Sequence, residues 1–161
     1  MKGTVMRAET LLQELNENGG YELRRDGYWA VWPDLDVHAM AASMLAHEVR
    51  LVTITATPDV CGGLRLIYHW DLGAALLNME TTVTSGHIPT ISDLLPAADW
   101  AEREIRDYYG TSFDGRLTTP PLMLREGDIP GLFSRTSGLG TETDPAETAR
   151  ANVASQDGEP T

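Results

Sequence analysis

Residues 51–83 read LVTITATPDVCGGLRLIYHWDLGAALLNMETTV, and the pattern is that of three consecutive strands. In residues 51–57, Val52, Ile54 and Ala56 alternate with threonines. In residues 64–70, Leu64, Leu66, Tyr68 and Trp70 fall on one face. In residues 76–83, Leu77, Met79 and Val83 fall on one face, with Asn78, Glu80 and Thr82 on the other. A period of two with β-branched and aromatic residues is the mark of a half-buried strand. The connections, residues 58–63 and 71–75, are short, which predicts antiparallel neighbours.

Two more strands are expected upstream. Residues 21–25 and 28–32 flank Asp26-Gly27, a dipeptide that accepts the positive φ of a two-residue hairpin turn, and Pro33 ends the second run. A helix is predicted over residues 6–18, with Leu11, Leu12 and Leu15 as its apolar stripe and Gly19-Gly20 as its stop. A second helix follows the hairpin, because Val37, Met40, Ala41, Met44 and Leu45 recur at helical spacing behind a cap at Asp34 or Asp36. A further helix is expected near residues 96–109. The fold class is therefore α+β in two layers: an α-β2-α-β3 order, a mixed or antiparallel five-stranded sheet, helices on one face and an additional C-terminal helix. Beyond Ser134 the chain turns to Gly, Ser, Thr, Ala, Glu, Asp and Pro, a composition that cannot offset its ordering entropy. One domain over residues 1–133 and a disordered acidic tail over 134–161 are expected.

Composition narrows the function. With 24 acidic and 12 basic residues, the 161-residue chain carries a formal net charge of -12. Such a surface repels phosphate backbones and anionic lipid, which argues against nucleic-acid binding and direct membrane adhesion. No apolar run approaches the roughly 20 residues of a membrane span, and residues 1–10 lack the apolar core of a signal peptide, so a cytoplasmic protein is expected. The single cysteine, Cys61, excludes an internal disulfide and cannot by itself ligate an iron–sulfur cluster.

Residues 94–110, LLPAADWAEREIRDYYG, carry the strongest local signal. Pro96 suits a first turn, Asp99 with Glu102 suggests a capping box, and Gly110 fits the left-handed position after a helix. On a helical projection Ala97, Trp100, Ala101, Ile105 and Tyr108 form an apolar arc that contains Glu104. Arg103 and Asp107 lie at its edge, and Glu102 and Arg106 fall on the far side. Glu102–Arg106 and Arg103–Asp107 are then exposed i,i+4 pairs, each worth a few tenths of a kcal/mol. A carboxylate on a packed face costs several kcal/mol unless paired, so Glu104 is expected to meet a cation of this chain or of a partner.

That stretch, with Phe113-Asp114-Gly115 after it, resembles the signature of the 30-kDa (C) subunit of NADH:quinone oxidoreductase, complex I. It is similar too to the equivalent subunit of membrane-bound (group 4) nickel–iron hydrogenases, to which Tyr68-His69-Trp70-Asp71-Leu72 adds a resemblance. The similarity extends over roughly residues 51–115. It departs after Gly115, where Arg116-Leu117-Thr118-Thr119-Pro120-Pro121 stands in place of the family's His-Pro and leucine-rich run. The resemblance implies a cofactor-free subunit that docks onto the large quinone-site or nickel–iron-type subunit, beside a small iron–sulfur subunit, at the inner face of the cell membrane. Iron–sulfur clusters and nickel–iron or quinone sites are then expected in those partners. Trp100, Glu102, Arg103, Glu104, Asp107, Tyr108 and Gly110 become contact or scaffold residues, with no catalytic residue expected.

Other readings stay open on the residues alone. Glu102, Glu104 and Asp107 could supply acid/base chemistry, but no nucleophile–base pair, phosphate loop or cofactor fingerprint accompanies them. His38, His47, His69 and His87 are scattered, and the nine-residue spacing of His38 and His47 puts them on nearly opposite helix faces, which disfavours a shared metal. A stand-alone protein-binding module would use Trp29, Trp32, Trp70 and Trp100, although the spacing of Trp70 and Trp100 fits a core.

Overall fold

The structure, a computed structural model, describes residues 2–117 and 119–136. Its elements run α1 (Lys2–Asn18), β1 (Glu22–Arg24), β2 (Gly27–Val31), α2 (Val37–Ala46), β3 (Arg50–Pro58), β4 (Leu64–Asp71), β5 (Leu76–Val83) and β6 (His87–Pro89). A 3-10 turn (Pro96–Ala98), α3 (Asp99–Tyr109), β7 (Ser112–Asp114) and the short α4 (Leu132–Thr136) complete them.

The first five strands form one sheet in the order β1-β2-β5-β4-β3. β3–β4 and β4–β5 are antiparallel, as the short connections predict. The sheet is mixed because β2 pairs parallel with β5, Tyr28 opposite Leu77 and Val31 opposite Glu80. That crossover pairing is reinforced outside the ladder: the Thr81 hydroxyl donates to the Pro33 carbonyl at 2.9 Å, and the Trp32 N–H donates to the Glu80 carbonyl at 2.9 Å.

Alternation decides which side faces the helices. Leu64, Leu66, Tyr68 and Trp70 on β4 are all buried, as are Leu77, Met79 and Val83 on β5. Against them pack Leu11 and Leu15 of α1, and Val37, Met40, Ala41 and Met44 of α2, in one continuous core. Asp36 caps α2 by accepting the Ala39 N–H at 2.9 Å. β3 departs from the expected alternation. A bulge between Leu51 and Thr53 turns Leu51 inward with Ile54 and leaves Val52 half exposed.

Other differences are local. α1 starts four residues before the predicted helix. Leu45 of α2 is exposed at 41%. The hairpin turn is Arg25-Asp26, since Arg24 pairs with Gly27 and Gly27 opens β2. Gly27 still needs its φ of +135°, and a Cβ there would strike the Leu76 carbonyl of the neighbouring strand. The parallel pair β6–β7 and the helix α4 are additions that periodicity does not reveal. α4 runs across the expected 133/134 boundary; residues 137–161 of the expected tail lie outside the described residues.

Candidate functional site

α3 is laid against β3, the edge strand of the sheet, with the Tyr109 hydroxyl donating to the Ala56 carbonyl at 3.2 Å. The 3-10 turn begins at Pro96, whose missing N–H costs nothing there. Gly110 ends the helix in the left-handed region, φ +75°, and its N–H closes onto the Arg106 carbonyl at 2.8 Å. The expected capping box does not form, because α3 is entered from the 3-10 turn through Ala98 and Asp99 already has helical dihedrals; the carboxylates of Asp99 and Glu102 both go to Arg116.

The buried carboxylates are Glu102 and Asp107, and this corrects the projection. Glu102 is 1% exposed, not on a solvated face. Its carboxylate accepts the Thr90 hydroxyl at 2.6 Å, the Ile91 N–H at 2.8 Å and the Arg116 guanidinium at 2.9 Å. Burial pushes its pKa above the ordinary carboxylate range, with Thr90, Ile91 and Arg116 pulling the other way. Arg116 is itself nearly buried and also donates to the Asp99 carbonyl and carboxylate.

Asp107 is fully buried. One oxygen accepts Arg106 at 2.9 and 3.1 Å, and the other accepts the N–H groups of Leu122 at 2.6 Å and Met123 at 2.9 Å. Burial alone would raise its pKa, but the Met123 N–H, Arg106 and the Leu122 N–H outweigh it and hold Asp107 below the ordinary range. Arg106 reaches on to the carbonyls of Thr119 and Pro120, and Arg103 to Pro121 and Asp99. The predicted pairs Glu102–Arg106 and Arg103–Asp107 are therefore replaced by Asp99–Arg103, Arg106–Asp107 and Arg116–Glu102. The segment after Gly115, where the resemblance departs, is the strap these charges hold along α3.

With both flanks occupied, the remaining crest of α3 faces solvent. Trp100 is 70% exposed instead of belonging to the core, and Glu104 is exposed instead of lying on a packed face. The Glu104 carboxylate has no hydrogen bond or ion pair among the described residues. Tyr108 is half-buried and stacks on Phe133, ring centroids 4.5 Å apart. A shallow cavity of about 300 Å³ lies beside this crest, with Thr53, Thr55, Glu104, Tyr108 and Phe133 in its wall.

Sequence reasoning missed Thr90, Ile91 and Arg116 as partners of Glu102, because the pairs are 12, 11 and 14 residues apart with no periodicity to link them. It missed a second polar cluster too. His69 shares a hydrogen bond with Thr55 at 2.9 Å and donates from Nδ1 to the Asn78 side chain at 2.6 Å, while Asn78 donates to the Tyr28 carbonyl at 3.3 Å. That chain of bonds crosses β3, β4, β5 and β2. The other histidines are apart from it: His38 pairs with Asp93, His87 with Asp114, and His47 bonds the Ser43 carbonyl. Among the described residues, no three His, Cys, Asp or Glu side chains are grouped to hold a metal ion. Nor is any described helix long and apolar enough to cross a membrane.

A sequence model of the family described as "Respiratory-chain NADH dehydrogenase, 30 Kd subunit" matches residues 32–132, from the end of the hairpin to α4. The chain belongs to this family. Relatives of the 30 Kd family agree over shorter stretches. The C/D subunit of the NADH-quinone oxidoreductase of Nitrosospira multiformis is 46% identical over 50 residues, 28% of this chain and 8% of that protein. The C subunit of the Nocardia farcinica enzyme is 42% identical over 52 residues, 28% of this chain and 21% of that protein. The C/D subunit from Gluconacetobacter diazotrophicus is 30% identical over 95 residues, 53% of this chain and 15% of that protein. The chain thus matches only a small part of each relative's length. A solved structure described as the trypsin-resistant fragment (1-134) of Nqo5 superposes with a TM-score of 0.59 and 21% identity, covering 70% of this chain and 99% of that one. The shared fold is the two-layer α+β architecture described above.

Proposed function

We propose that this 30 Kd-family chain is a cofactor-free docking and assembly subunit of a complex I-like redox assembly, of the NADH:quinone or the hydrogenase type. It packs against the large quinone-site or nickel–iron-type subunit, beside a small iron–sulfur subunit, on the cytoplasmic side of the membrane, and touches the membrane only through those partners. The observation that carries this reading is how α3 uses its charges. Asp99, Glu102, Arg103, Arg106 and Asp107 hold the strap, residues 116–117 and 119–124, in place, while Trp100 projects from the same helix at 70% exposure. Charges paired between a helix and the strap beside it make a firm support, and an exposed tryptophan on such a support is the kind of residue that anchors an interface. The lone, exposed Cys61 is consistent with redox centres residing in other subunits.

Affinity purification of the tagged, full-length chain from its native host tests this. The expected result is co-purification of a large subunit and a cluster-bearing small one, released together from the membrane fraction. Whether that complex oxidises NADH or hydrogen separates the two types. Recovery of the chain as a lone monomer would overturn the proposal.

A further inference from the structure

The crest of α3 combines three features whose chemistry converges. Trp100, Glu104 and Tyr108 lie at i, i+4 and i+8, so they form one stripe along the helix. Trp100 is the most exposed of the four tryptophans, and Tyr108 is backed by the stacked ring of Phe133. Between them stands Glu104. It is the only charged side chain of α3 without an ion pair or hydrogen bond among the described residues; Asp99, Glu102, Arg103, Arg106 and Asp107 all have one. The strap also carries exposed apolar side chains, Leu117 at 85% and Met123 at 55%, and the Met123 N–H on Asp107 brings the latter to the last turn of α3.

An unshared carboxylate flanked by two aromatic rings matches a guanidinium. Such a group pairs with the carboxylate through its planar N–H fork and lays its weakly hydrated face against an aromatic ring. The chain's net charge of -12 favours a basic surface on the approaching partner. We propose that Trp100, Glu104 and Tyr108 seat an arginine side chain presented by a neighbouring protein subunit. This inference rests on the assembly role proposed above and assigns its contact chemistry.

The test uses the full-length chain in its native host, with a photo-crosslinking phenylalanine analogue introduced at the exposed Ala97, one turn before Trp100. Irradiation of the assembled complex is expected to join Ala97 to a partner segment that contains an arginine. Glu104→Arg should lower the affinity of reassociation at least about tenfold, and Trp100→Ala by about as much or more. Exchanging the mapped partner arginine for glutamate should restore the Glu104→Arg variant. Far-UV circular dichroism and urea midpoint should be those of the unaltered chain, because neither side chain contributes to the core. An adduct in a segment without arginine, assembly of Glu104→Arg at unaltered affinity, or failure of the charge exchange to restore it would each overturn the inference. An intact complex indifferent to Glu104→Arg defeats this inference alone, whereas recovery of a lone monomer defeats the assembly role as well.

Discussion

Glu102 and Glu104 stand two residues apart on one helix and meet opposite surroundings. The buried Glu102 is tolerable only because three donors surround it, one of them a guanidinium; removing it leaves the Thr90 hydroxyl and the Ile91 N–H without this acceptor and Arg116 with Asp99 as its remaining carboxylate. Glu102→Ala should destabilise the fold by about 3–5 kcal/mol, read from urea unfolding. A loss below about 1 kcal/mol would show that Asp99 alone satisfies Arg116. The two buried carboxylates should also pull the pH profile in opposite directions. Glu102 is raised, so its contribution is fully present below its ordinary value of 4.5 and is lost as pH rises through its folded value. Asp107 is lowered, so its contribution is present above its ordinary value of 3.8 and is lost as pH falls through its folded value. Urea midpoints measured against pH should show the first dependence vanish in Glu102→Gln and the second in Asp107→Asn. Profiles parallel to that of the unaltered chain would contradict these assignments.

At the level of elements, Asp107 is one of several residues of α3 that hold the strap, and it is the one that accepts the backbone N–H groups of Leu122 and Met123. Its replacement by Asn keeps the size but weakens the bonds from Leu122 and Met123, which are charge-assisted in the unaltered protein. Amide hydrogen exchange at Leu122, Met123 and Leu124 should accelerate in Asp107→Asn while the β4 and β5 amides keep their protection. Uniform acceleration throughout would mean the strap and sheet open together. In the hairpin, the sensitive position is Gly27. Gly27→Ala must place a side chain at φ +135° and against the Leu76 carbonyl, so it should cost more than about 1 kcal/mol and loosen the β2–β5 pairing. A neutral effect in thermal unfolding would argue that β2 can shift away from β5 without loss.

For the whole molecule, one core joins Leu11 and Leu15 of α1, the buried side of the sheet, Ile105 of α3 and Phe113 of β7. Unfolding should therefore be a single transition, with tryptophan fluorescence and far-UV circular dichroism coinciding in urea. Two separated transitions would show that α3 and its strap form an independent unit. Much of this architecture is legible in the chain itself. The faces of β4 and β5, the Asp36 cap, the left-handed Gly110 and the membership announced by residues 94–115 all depend on neighbours within a few positions, where period and turn chemistry act directly. The site was legible as a segment but not as an arrangement. Trp100 looked like core and Glu102 like solvated surface, because a helical projection ranks faces by apolarity alone. Tertiary structure decided otherwise. β3 and residues 90–91 occupy one flank of α3, and the strap, residues 116–117 and 119–124, occupies another, bringing Arg116 to Glu102 from 14 residues away. The sequence by itself determined that α3 would form and where it would stop; only the partners folded back against it determined which carboxylates are buried, and left Glu104 to the solvent side.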